Sequence, residues 1–185
     1  MIGTLPKSIN INGREIPIRS NFRTVLLILE AFNDPNLTPN EKKYIELDAL
    51  YNIKNLKPEE YEEALKKANW FIDGGKSYDS NKNPIKIIDW KQDEAMIFSA
   101  INRVANKETR ECEYIHWWTF LGYFAEVGEC LFSQVVNIRN KRAKGKKLEK
   151  YEQEYYRENR NLIDIKEQYS EEEQTEIDRL NEIFK

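Results

Sequence analysis

The sequence predicts a mainly α protein: a multi-helix domain with an N-terminal β-hairpin and a charged helical C-terminal extension. Three observations predict it. Apolar residues recur at helical spacing from Phe22 to Ile138. Only seven Gly and six Pro occur in 185 residues, too few for the many tight turns of an all-β sandwich or barrel. Charged residues make up 33% of the chain, above the usual ~25%, as expected of helices with large solvated faces. The 40% hydrophobic and 12% aromatic shares supply a core and argue against disorder. The length suits one domain with a tail. The expected division is a helical core over 1–142, with a candidate hinge at 74–84, and a charged helical tail over 143–185.

In Ser8 to Arg19, Ile9, Ile11, Ile16 and Ile18 alternate with other residues around Asn12-Gly13, the signature of a hairpin with a type I′ turn. Pro17 cannot donate to a ladder and belongs on an edge. Phe22, Val25, Leu26, Leu29 and Phe32 then predict a core helix over 20–33, capped by Ser20 and ended by Asp34-Pro35. Thr38-Pro39-Asn40-Glu41 reads as a capping box opening a helix over 39–52. Pro58 opens another over 58–73, stopped by Gly74-Gly75. Asp89 caps a helix running to residue 106, with Gln92 reaching back and Asp93 as a first-turn charge favoured by the helix dipole. Residues 113–124 form an aromatic helix, 129–142 an aliphatic one, and Ser170 with Glu173 caps a short acidic helix.

Several chemistries are disfavoured. The formal charge is -3, so no global basic excess attracts nucleic acid. Residues 1–10 lack the apolar stretch of a secretory signal, and no run approaches the ~18 apolar residues of a membrane span. A cytosolic protein with reduced Cys112 and Cys130 is expected. The lone His116 reads as a packing or hydrogen-bonding residue; a Cys112–His116 nucleophile would need an orienting acid and oxyanion donors that the sequence does not show. Gly75-Lys76-Ser77 lacks the upstream Gly, strand and helix of a phosphate-binding loop. No cofactor, metal or catalytic group is expected.

What remains is contact chemistry. Trp117 and Trp118 point about 100° apart on a helix, so they face different surroundings. Either the helix is sandwiched inside the domain, or one Trp anchors a partner. Residues 139–150 hold seven Lys or Arg against Glu149, and residues 167–182 hold seven acids against Arg179. The basic run reads as a solvated surface, as a phosphate-binding patch followed by Tyr151, Tyr155 and Tyr156, or as one half of a contact whose other half is the acidic end.

Asp89-Trp90-Lys91-Gln92-Asp93 with Ile97, then Ile115-His116-Trp117-Trp118-Thr119-Phe120, then Phe132 to Val136 and Ile138-Arg139, resembles a small bacteriophage protein family. In phages and prophages of Gram-positive bacteria this family is encoded between the tail tube and tape measure genes. The likeness is sharp over 89–139 and covers 22–165 in layout; the hairpin, the Gly-Gly loop and the acidic end depart from it. The resemblance implies a non-enzymatic tail assembly chaperone of a long-tailed phage. Such a protein coats the long, hydrophobic tape measure protein in the host cell cytoplasm and recruits tail tube subunits. Members occur as short and frameshifted longer forms, and related chaperones pack as spirals. On this reading Trp117, Trp118, Phe120, Tyr123 and Phe124 are expected to bind partner helices in a groove. Arg139, Lys141, Arg142, Glu171, Glu172 and Glu173 are expected to order neighbouring subunits in a homo-oligomer. The alternative is a nucleic-acid-binding phage accessory protein using 139–150.

Overall fold

A computed structural model describes residues 3–76 and 85–183. The fold is mainly α, with an N-terminal antiparallel hairpin, as the sequence predicts. The chain forms two compact units, Met1–Ile72 with Glu167–Lys185, and Asp73–Lys166. Most of the loop expected at 74–84 lies outside the described residues.

The first unit starts with β1 (Ser8–Ile11) and β2 (Arg14–Pro17), paired Ser8 with Pro17 through Ile11 with Arg14. Asn12 at φ 49° and Gly13 at φ 85° supply the two left-handed residues of a type I′ turn. Ile9, Ile11 and Ile16 are buried, which gives the hairpin the apolar support it lacks alone.

Helix α1 (Phe22–Asn33) is capped by Asn21, whose side chain accepts from the Arg23 N–H, so the cap lies one residue past Ser20. Helix α2 (Pro39–Tyr51) opens on the predicted capping box: the Thr38 N–H donates to Glu41 at 2.8 Å and the Glu41 N–H to Thr38 Oγ1 at 3.3 Å. Pro58–Glu60 form a 3₁₀ turn before α3 (Tyr61–Ile72). Arg14 clamps the carboxylate of buried Glu60 at 2.7 Å, fastening the hairpin to that turn. The Lys57 N–H and the Arg14 guanidinium hold the Glu60 carboxyl below its ordinary pKa. Val25, Ile28, Leu47, Leu50, Tyr51, Ala64, Ala68 and Phe71 are buried between these elements. Helix α9 (Glu171–Ile183) closes the list of elements and opens on the predicted Ser170–Glu173 box.

The second unit holds α4 (Glu94–Ala105), α5 (Trp117–Ala125), α6 (Leu131–Ala143), α7 (Lys150–Glu158) and α8 (Arg160–Ile163). Two of these helices start later than their apolar pattern suggests. Residues 90–93 form a turn in which the Asp89 N–H donates to Asp93 Oδ2 at 3.0 Å, so α4 begins at Glu94 rather than at Trp90. Helix α5 begins at Trp117 because His116 Nδ1 accepts from the Trp118 N–H at 3.1 Å and caps it. Ile97, Ile101, Trp117, Phe120, Phe132, Val135, Ile138 and Ile163 are its buried core.

Candidate partner-binding face

Helix α5, Trp-Trp-Thr-Phe-Leu-Gly-Tyr-Phe-Ala, carries no charged residue, yet only Trp117 and Phe120 of its nine residues are buried. The Trp117 and Phe120 rings stack at 5.7 Å, and Phe98 lies 5.9 Å from Phe120. Trp90 sits 6.4 Å from Trp117. Trp117 and Phe120, expected in the partner-binding set, are packing residues of the unit: at 1% and 0% exposure they offer no surface.

The other flank differs. Trp118 is half-buried, with its ring edge-on to His116 at 6.1 Å. Gly75, at φ +82°, passes so close that a Cβ there would lie 2.9 Å from the Trp118 ring. Leu121 meets Gly74 in the same way, at 3.1 Å. The glycine pair therefore does more than stop α3; it lets backbone lie directly on the α5 side chains. Tyr123 and Phe124 are also half-buried, Phe124 between Trp90 at 5.3 Å and Phe132 at 5.5 Å. The open part of the predicted set is thus Trp118, Tyr123 and Phe124. Tyr114, before the helix, and Leu131, after it, are exposed.

The basic run separates in a similar way. Arg139, expected to contact a neighbouring subunit, is buried, and all five of its N–H groups are used inside the unit. Its Nη1 and Nη2 meet the Asp93 carboxylate at 2.6 and 2.9 Å. Nε donates to the Ile163 carbonyl at 2.6 Å, Nη2 to Leu162 at 3.0 Å and Nη1 to Ile87 at 3.2 Å. Asp93, expected as a first-turn charge, is therefore a buried ion-pair partner at the N-cap position of α4, and the first-turn acid is Glu94. Nearby Asp89, expected to cap the helix, closes the preceding turn instead, accepting from the Gln92 N–H at 2.9 Å and the Lys91 N–H at 3.1 Å, while the Gln92 side chain, expected to reach back, donates to the Asp164 carbonyl and accepts from the Lys166 N–H. Burial alone would raise the Asp89 pKa; the Gln92 N–H and the Lys86 ammonium outweigh that and hold it low.

Lys141 pairs with buried Glu152 at 2.6 Å. Arg142 pairs with Asp164 and lies over the Tyr156 ring at 4.0 Å. The acids that hold Arg139, Lys141 and Arg142 within the unit are thus Asp93, Glu152 and Asp164. Lys144, Lys146, Lys147 and Lys150 are exposed, as are Glu171, Glu172 and Glu173 on α9.

Other groups have structural partners. Cys112 donates to the Glu108 carbonyl at 3.6 Å, and the His116 ring acceptor is engaged by the Trp118 N–H. Among the described residues no group of three or more His, Cys, Asp or Glu is placed to hold a metal ion, and no helix is long and apolar enough to cross a membrane. Glu46 on α2, between Ile45 and Leu47, carries no sequence signal of its own, since a single Glu in a charged helix is ordinarily solvated. It is buried, its Oε1 lacks a hydrogen-bond partner among the described residues, and burial pushes its pKa up to about 7.

Neither curated proteins nor solved structures give a match to this chain. A protein-family model does: the one described as Bacteriophage Gp15 protein matches residues 1–170. With most of its length covered by that match, and with the α5 and Arg139 regions inside it, the chain belongs to the Bacteriophage Gp15 protein family.

Proposed function

We propose that this phage protein is a tail assembly chaperone, acting in the host cell cytoplasm by contact and without catalytic turnover. It holds helical segments of the tape measure protein and favours addition of tail tube subunits around them. The observation that carries this reading is α5: a helix without a charged residue, of which Trp118, Leu121, Tyr123 and Phe124 remain part-exposed. An apolar helix is normally covered. One left half-open, with aromatic side chains at its edge, is suited to taking the apolar face of another helix. The charged surfaces of the rest of the chain would keep such a complex in solution.

The test is co-expression with the tape measure protein of the same phage. The expected result is a soluble complex that co-purifies, with recovery reduced by Trp118→Ala together with Tyr123→Ala. A tape measure protein equally soluble without this partner overturns the reading.

A further inference from the structure

The acidic end of the chain carries an apolar stripe that nothing in its own helix covers. On α9, Glu172, Glu173, Glu176, Ile177, Leu180 and Ile183 recur at three- and four-residue spacing and fall along one face. No residue of α9 is buried, and Leu180 and Ile183 are 45% and 66% exposed. The stripe is acidic at its N-terminal end and aliphatic at its C-terminal end. A second surface has complementary character: Lys144, Lys146, Lys147 and Lys150 are all exposed, and Tyr151 beside them is 63% exposed. These four lysines are the cations left over once Arg139, Lys141 and Arg142 are committed to Asp93, Glu152 and Asp164.

We propose that α9 of one copy docks on the 144–151 stretch of a second copy, its aliphatic residues covering Tyr151 and its acids facing the four lysines. Charge selects this occupant over a second α9. Two α9 helices side by side would oppose six acids to six, with one Arg on each, and like charges across a contact are repelled. The same reasoning disfavours lysine stretch against lysine stretch. The contact joins two different patches, so each added copy still presents one unused acidic helix and one unused basic stretch. Such a contact is heterologous: it propagates into a ring or a helical row rather than stopping at a pair. The inference is independent of the chaperone reading, since it needs only this chain.

The experiment measures the mass of the purified full chain by light scattering over a range of concentrations, in about 50 mM and about 500 mM NaCl. Surface charge attraction is screened strongly across that interval. Mass should rise with concentration at low salt and fall back at high salt. Glu172→Lys with Glu176→Lys should abolish the rise, and so should Lys146→Glu with Lys147→Glu. Mixing the two reversed proteins should restore a complex, because each then presents the charge the other needs. Leu180→Ser should weaken association at unchanged helix content by circular dichroism. A chain that is monomeric at every concentration overturns the proposal, as does association that survives both charge reversals. Failure of the mixed variants to associate also overturns it. Salt-sensitive binding of a DNA duplex by a persistently monomeric protein would assign the lysines to nucleic acid instead.

Discussion

Arg139 and Asp93 form a two-pronged ion pair, at 2.6 and 2.9 Å, in a place where neither side chain is more than 4% exposed. The planar guanidinium matches the carboxylate and leaves three N–H groups for the carbonyls of Ile87, Leu162 and Ile163. Removing one partner leaves the other charged and buried. Arg139→Met should therefore destabilise the second unit by about 3–5 kcal/mol, read by urea unfolding followed through tryptophan fluorescence. Arg139→Lys should fail to restore stability, since one ammonium cannot serve all five acceptor atoms. Replacing both, with Asp93→Leu and Arg139→Met, should recover much of the loss. A double variant as unstable as the sum of the singles would mean that the carbonyl contacts, not the ion pair, dominate.

Glu46 sets a pH dependence of definite sign. Its pKa is about 7 in the folded chain and near the ordinary 4.5 when unfolded. The folded state therefore holds its proton more tightly, and the stability this contributes is complete below about pH 4.5 and lost as pH rises through 7. The span of about 2.5 pKa units corresponds to about 3 kcal/mol. Glu46→Gln, which cannot ionise, should raise the thermal midpoint at about pH 8 and change it little at about pH 5. Equal effects at the two pH values would show that Glu46 does not titrate in this range.

Gly75 should tolerate no side chain. At φ +82° an L-residue is strained, and the new Cβ would press on the Trp118 ring at 2.9 Å. Gly75→Ala should cost about 1–2 kcal/mol and shift tryptophan emission to the red as Trp118 is pushed outward. An unchanged emission spectrum would show that the ring yields without leaving its place.

Phe120 and Trp118, two residues apart, should fail in different ways. Phe120→Ala empties a fully buried site against Trp117 and Phe98 and should cost about 3–5 kcal/mol. Trp118→Ala removes a half-buried ring and should cost less in unfolding, while lowering recovery of the tape measure complex. Denaturation and co-purification on the same two variants separate the roles.

Local chemistry explains which parts were legible in the sequence. The Asn12-Gly13 turn, the Thr38–Glu41 box and the Ser170–Glu173 box depend on residues within a few positions of one another, and each stands where its spacing places it. Helix phase separates Trp117 from Trp118, and the first is buried while the second is half-buried. What local spacing hides is long-range. Asp93 reads as an ordinary acid at a helix start, and nothing nearby reveals a partner 46 residues away. Arg139 resembles the other cations of its run until its helix face is considered: it follows Val135 and Ile138 into the core. An arginine continuing an aliphatic stripe was the available signal. The aromatic run predicts His116 inside the helix, and it instead caps it, because its ring nitrogen competes for the backbone N–H two residues on.

The Arg139 clamp also bears on the order of events during synthesis. Its acceptors lie at Ile87, Asp93, Leu162 and Ile163, on both sides of it in the chain. When Arg139 leaves the ribosome, Asp93 is already outside, but the two carbonyls of α8 are still inside the exit tunnel. Burying the guanidinium at that moment would leave two of its N–H groups without acceptors. Closure of the second unit thus waits for Ile163 to emerge from the ribosome, and until then α5 and its tryptophans are exposed on a nascent chain. The residues 1–72 that precede the unit have no such delay: Arg14 and Glu60 are both available to meet long before Arg139 is reached.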